Sequence, residues 1–251
     1  MRGLVCTALT VGLVAAVAPV RADDGKAARA IVDKAIKAHG GADVLKKYPG
    51  SVSAFKGTIT TMGLEIPMTG EISIDGATKL KVAIRIEAGG QTLQIVNVVN
   101  GDKGWTKVGD AVTELDADAV KEAGENLHGG WVASLAPLAD GKGYTLATTG
   151  EHEVGAKKAV GVKVSAKGKR DVDLYFDKDT GMLVKSAHTV KDEGSGQEVL
   201  EETTYVEFKE FAGLKQAVKT STKRDGKPYI EAEVSDVQLS EKLDDGVFVK
   251  P

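Results

Sequence analysis

Two periodicities divide the chain. Up to about residue 48 apolar residues recur every three to four positions, and from Ser51 onward they alternate with polar ones. Ala28, Ile31, Val32, Ala35 and Ile36 form the apolar stripe of a helix from about Lys26 to His39, which Asp24 can cap and Gly40-Gly41 stops. A second helical turn, Ala42 to Tyr48, ends at Pro49 because the residue before a proline is pushed out of the helical region. The period-two segments then follow closely: Ser51 to Met62, Leu64/Ile66/Met68 with Ile72/Ile74, and Leu80/Val82/Ile84/Ile86, each with polar residues on the other face. Gln91 to Asn100 is apolar on both faces around Ile95 to Val99, which predicts a strand covered on each side. Trp105 to Val108 and Ala111 to Leu115 complete this first set.

A helical insert over about 116–139 interrupts the strands. Asp116 can cap a helix from Ala117 to Leu127, His128-Gly129-Gly130 is expected to end it, and Trp131 to Leu138 carries Val132, Leu135 and Leu138 at helical spacing. Seven further runs lead to the C-terminus: Tyr144–Thr149, Lys157–Ser165, Arg170–Phe176, Met182–Val190, Glu198–Phe208, Gly213–Thr222 and Pro228–Leu239, with Val247 to Pro251 as their ending. The clearest is the meander Val162 to Lys185, whose connection Asp177-Lys178-Asp179-Thr180-Gly181 ends on a glycine able to take positive φ.

Size then selects an architecture. About ten adjacent strands roughly 4.8 Å apart make an arc near 48 Å, whereas two or three helical pieces, each about 10 Å across, cover roughly 20 to 30 Å. A flat sheet would leave its apolar face in water, and a curled one hides it. The expected fold class is mainly β with a few helices (α+β): an incomplete antiparallel β-barrel, a half-barrel of about ten strands with helices closing its mouth over an apolar cavity. Its candidate lining is Met62, Met68, Ile72, Leu80, Val82, Ile84, Leu93, Ile95, Leu174, Phe176 and Val184, closed by Trp131 and Leu135.

The first residues alter the domain count. Arg2, the small and apolar run Leu4 to Ala18, Pro19, and Val20-Arg21-Ala22 before Asp23 have the make-up of a cleaved signal peptide over 1–22, leaving one domain over 23–251. Cleavage would remove Cys6, the single cysteine, and with it any disulfide or thiolate chemistry. It would also move the formal charge from -3 to about -5, too weak to imply a particular partner. Lysines alternate with carboxylates along the strands instead of clustering with aromatics, which argues against a nucleic-acid partner.

Candidate chemistry is sparse. His39, His128, His152 and His188 are far apart with no metal-binding spacing, and His39 sits at a helix end, where the dipole favours a cation. Asp177 to Gly181 begins like a calcium loop and then places Gly181, Met182 and His188 where an oxygen ligand, a glycine and a glutamate are needed, so it is read as a turn. His128-Gly129-Gly130 has no G-x-S-x-G elbow to serve, and Gly40-Gly41 has no strand before it. No catalytic, metal or cofactor assignment follows, and an enzyme is not expected.

The order of elements, together with Leu174-Tyr175-Phe176-Asp177-Lys178-Asp179-Thr180-Gly181-Met182-Leu183-Val184-Lys185, the corner Phe208 to Leu214 and the ending Leu243 to Pro251, resembles the LolA/LolB-like superfamily of outer-membrane lipoprotein-sorting proteins and related envelope carriers. The resemblance implies a half-barrel with a helical lid and a hydrophobic cavity for acyl chains. It further implies a monomeric periplasmic carrier of lipid or acylated, lipoprotein-type cargo, exchanging it with a membrane-associated donor or acceptor protein. The alternative is an envelope sensor or protein-interaction module of the same fold. Lipoprotein carriers have aromatic-rich cavities, whereas only 5% of this chain is aromatic, so the fold transfers further than the cargo.

Overall fold

A computed structural model describes residues 22–192 and 194–251, so the expected leader, apart from Ala22, lies outside the described residues. The first helix, α1 (Ala22–Ala38), begins earlier than the pattern suggested and takes Asp24 into its first turn, and α2 (Ala42–Lys47) follows. Six strands come next: β1 (Gly50–Thr61), β2 (Leu64–Asp75), β3 (Lys79–Ala88), β4 (Gln91–Asn100), β5 (Lys103–Val108) and β6 (Ala111–Glu114). Helix α3 (Ala117–Ala133) and a 3-10 turn, Ala136–Leu138, form the insert. The second set is β7 (Tyr144–Val154), β8 (Lys157–Ala166), β9 (Val172–Asp177), β10 (Leu183–Lys191), β11 (Glu198–Phe211), β12 (Leu214–Arg224) and β13 (Lys227–Ser240). A last 3-10 turn, Asp245–Phe248, stands where the ending was expected to continue the meander.

Among the described residues, all thirteen strands belong to one sheet in the order β6-β5-β4-β3-β2-β1-β13-β12-β11-β10-β9-β8-β7. The sheet is an open half-barrel, wider than the expected ten strands. Every pairing is antiparallel, and the two sets join where the first strand meets the last, with Gly57 opposite Ala232 and Ile59 opposite Ile230. Register shifts interrupt the pairing in β1–β13, β7–β8, β9–β10, β11–β12 and β12–β13, and each adds local bend and twist of the kind that curls a wide sheet. At the Met62-Gly63 turn both residues have positive φ, 51° and 77°, the geometry of a two-residue hairpin that matches strand twist.

The core lies on one half of this sheet. Ala28, Val32 and Ala35 of α1 are fully buried and pack with Val162, Val164, Val172, Leu174 and Phe176 of β8 and β9. Alanines at the contact let the helix come close. Leu135 and Leu138 close the same cluster from the insert. At about 25 cal/mol per Å² of apolar surface removed from water, these side chains supply the main driving force of the domain.

Helix α3 is one helix through His128-Gly129-Gly130, where the sequence predicted a break. Glycine inside a helix costs about 1 kcal/mol relative to alanine. Here its lack of a side chain is required: a β-carbon on Gly129 would lie 2.6 Å from Nε2 of His188 on β10.

Candidate functional site

Register defines which side chains share the face that carries the helices. From Leu174 and Phe176 the pairings run through Ser186, Thr203 and Thr222 to Ile230, then to Ile59 and Ile66. Three parallel rows cross β2, β3 and β4: Met68–Ile86–Leu93, Gly70–Ile84–Ile95 and Ile72–Val82–Asn97. This inner face is apolar over β1 to β4 and β13, and hydroxyl-bearing over β10 to β12.

Helix α1 packs mainly on β7 and β8, while α3 touches β4 on one side and β9 and β10 on the other. It thereby bridges the two flanks of the half-barrel, and of the strands between them β3, β2, β1 and β13, together with β4, form an apolar trough. Ile59, Ile66, Ile72, Val82, Ile84 and Ile95 are only partly buried, Leu93 and Val108 are each 43% exposed, and Leu64 is 66% exposed. An aliphatic face of this extent left open to water is uncommon in a domain that has a separate closed core.

The thirteen candidate residues do not share one surface. Met68, Ile72, Leu80, Val82, Ile84, Leu93 and Ile95 lie together on the trough. Leu174, Phe176 and Leu135 are sealed in the core, and Trp131 packs against it. Val184 is buried at the β9–β10 bulge, outside that cluster. Met62 is 99% exposed, because the first central position of a tight hairpin turns its side chain away from both strands. Ile59, Ile230 and Val234 are trough residues that the sequence reading missed. Their alternation was visible, but the pairing of β1 with β13 was not.

The polar end of the inner face is organised around α3. Glu122 accepts from Nη1 of Arg170 and from the Lys191 N–H, both at 2.7 Å. Glu125 accepts from Lys169 Nζ at 3.0 Å and from the Arg170 N–H at 2.8 Å. Burial pushes both carboxyls up, yet these donors more than offset it and hold them below the usual glutamate range. Arg224 pairs with Glu201 at 2.9 Å and lies 3.7 Å above the ring of Tyr229. Tyr205, whose hydroxyl meets Ser186 Oγ at 2.9 Å, is pushed up to about 12 by burial.

The other candidate groups named from the sequence resolve into structure. Asp177 accepts from the N–H groups of Asp179 and Thr180 and from the Thr180 hydroxyl, so its carboxylate serves a turn. His39 is held neutral at its helix end instead of acting as the cation the dipole would favour, since burial lowers its pKa. Among the described residues no group of three or more His, Cys, Asp or Glu is placed to hold a metal ion.

No family model matches the chain, and no curated protein matches it by sequence. Solved structures do match by shape. A LolA superfamily protein from Nitrosomonas europaea is 14% identical with a TM-score of 0.56, over 89% of this chain and 97% of that one. The fold is LolA-like. A putative outer membrane lipoprotein-sorting protein domain from Vibrio parahaemolyticus aligns at 11% identity and TM-score 0.55, covering 90% and 97% of the two chains. A DUF1329 family protein from Desulfovibrio piger gives 12% and 0.56, with 88% and 97% covered. In this LolA-like half-barrel a shallow concavity over β2, β3 and β4, lined by Gly70, Ile84 and Ile95 among others, lies on the trough, and a second one, lined by Arg29, Leu138 and Tyr144, lies beside α1.

Proposed function

We propose that the protein is an exported, periplasmic carrier that shelters acyl chains of a lipid or acylated cargo in the trough, as a single domain over 23–251 and as a monomer. One observation carries this reading: the helices cover one half of the inner face and leave the aliphatic rows of β2, β3 and β4 partly exposed. Each methylene sheltered there contributes about 0.8 kcal/mol, so a chain of ordinary length binds without a charged anchor. The match to a lipoprotein-sorting domain supports the class of cargo, and the leader-like first residues support export. A membrane-associated donor or acceptor would load and empty the trough.

The test is direct. Protein made in a bacterial envelope is expected to carry lipid detectable by mass spectrometry and, once stripped, to bind a fluorescent fatty acid. Ile84→Lys, on the trough, should weaken probe binding at least tenfold. Leu200→Lys, at an exposed position on the opposite face, should leave it unchanged. Protein that is lipid-free, takes up no probe and instead crosslinks stably to an envelope protein would replace this reading with the interaction module.

A further inference from the structure

Along its middle turns, α3 is fastened to the sheet by charge. Its last turn, through Val132, is part of the apolar core, whereas Val120 and Leu127 are buried outside that core. Between them, Glu122 and Glu125 converge on Arg170 and Lys169, just ahead of β9. Arg170 is the hub of the attachment, since it also bonds Glu198 at 3.1 Å and reaches the Thr189 carbonyl at 3.5 Å. One turn beyond Glu125, the His188 ring edge meets Gly129, and its buried Nε2 has no hydrogen-bond partner among the described residues.

We propose that α3 is an acid-released latch over the trough and that His188 is its trigger. The closed state accepts a neutral imidazole, because Nε2 is buried beside Gly129 with no hydrogen-bond partner among the described residues and needs no proton there. An imidazolium there would carry a buried N–H with no acceptor, a costly arrangement in a packed site. The charged and titratable groups around the ring are Glu122, Glu125 and His128 on α3, Lys169 and Arg170 before β9, Glu201 on β11, which is paired with His188, and Arg224 on β12. Arg170 and Arg224 oppose a further positive charge, and the carboxylates that favour it are already bonded to those arginines and to Lys169. Drawing Glu122 toward an imidazolium would remove it from Arg170 and undo the hub.

Lifting the middle of α3 lets water solvate the charged ring. Burial sets the imidazole below its ordinary value in the closed state, so opening takes up a proton and acid favours the open form. For one such group the opening constant rises by up to about tenfold per pH unit below roughly 6.5, until the closed-state pKa is reached. That the opened helix uncovers an acyl site rests on the carrier reading, but the latch itself does not.

The experiment therefore uses cargo-free protein. Amide hydrogen exchange, corrected for intrinsic rate, is followed across α3 at about pH 7.5, 6.5 and 5.5. Protection of residues 117–130 should fall by up to about tenfold per unit below roughly pH 6.5, while β8 and β9 stay protected. His188→Gln should remove the dependence, and Gly129→Ala, which drives a methyl into the ring, should leave α3 poorly protected at every pH. If His188→Gln fails to fold, NMR titration of the wild-type imidazole must show the ring and the α3 amides changing together. The proposal is overturned if α3 exchange is pH-independent, if His188→Gln leaves the dependence intact, if His128→Gln removes it instead, or if β8 and β9 open in parallel. A pH-independent latch in protein that still binds the acyl probe would remove the trigger and leave the carrier reading standing.

Discussion

His39 ties the end of α1 to the start of β10: Nδ1 donates to the Ala35 carbonyl at 2.8 Å, and Nε2 accepts from the Leu183 N–H at 3.5 Å. One ring nitrogen must carry a proton and the other must not, so these partners fix the neutral tautomer.

A pH dependence of stability follows. Burial lowers the His39 pKa, with a smaller contribution from Lys215, and outweighs the upward pull of the Ala35 carbonyl. Burial likewise lowers His128 and His188. The unfolded chain then binds more protons than the folded one below about pH 6.5. Stability is therefore full above that value and is lost as pH falls through the lower folded-state pKa values. Thermal unfolding between about pH 7.5 and 5 should show Tm declining with acid. His39→Gln should lower Tm at neutral pH, by roughly 1 to 3 kcal/mol in stability, and make the decline shallower. An equally steep decline in that variant would remove His39 from the account.

Much of this architecture could be read from alternation alone. The meander Val162 to Lys185 and the turn at Asp177 to Gly181 appear where the sequence put them, because strand, turn and strand are local and each residue choice agrees with its neighbours. What could not be read depends on contacts far apart in sequence. Leu174 and Ile84 cannot be told apart by pattern, since both sit in alternating runs, yet only Leu174 belongs to the cluster that α1 covers. Gly129 reads locally as a helix end, and its real reason is His188, far along the chain. Likewise Ile230 belongs to the trough only because β13 closes on β1.

Gly70 offers a test of how the trough is shaped. A β-carbon there would stand 2.2 Å from the Ala83 carbonyl oxygen and 2.6 Å from Cζ of Phe55. Phe55 thus lies across the glycine, lining the trough at its centre. Gly70→Ala should cost roughly 1 to 3 kcal/mol by overpacking. Adding Phe55→Leu should recover only part of that loss, since the carbonyl contact remains. Full recovery in urea titrations would place all the strain in the ring.

Core and trough should respond differently to the same truncation. Leu174→Ala empties a sealed site and is expected to cost about 2 to 5 kcal/mol. Ile84→Ala removes a side chain already partly in water and should cost nearer ~1 kcal/mol, while weakening acyl-probe binding. Chemical denaturation separates the two outcomes, and equal losses at both positions would mean that the trough is ordinary core.

Phe248 decides why β4 is covered on both faces. On the inner face Val99 is buried beside Gly104, against which Leu115 packs ahead of α3. On the outer face Val98 is fully buried and shares its side of the strand with Asn100, whose amide donates to the Phe248 carbonyl at 3.2 Å. The terminal 3-10 turn, begun by Asp244 accepting from the Gly246 N–H, presses a fully buried Phe248 onto β3 and β4. Lys79 joins the same strap by pairing with Asp245 and lying 5.9 Å from the Phe248 ring centre. Apolar burial should outweigh the solvent-exposed ion pair. Phe248→Ala is expected to cost about 3 to 5 kcal/mol, whereas Asp245→Asn should leave Tm nearly unchanged and insensitive to added salt. Thermal unfolding of the two variants at low and high ionic strength reads both effects, and a larger loss from Asp245→Asn would make the strap electrostatic.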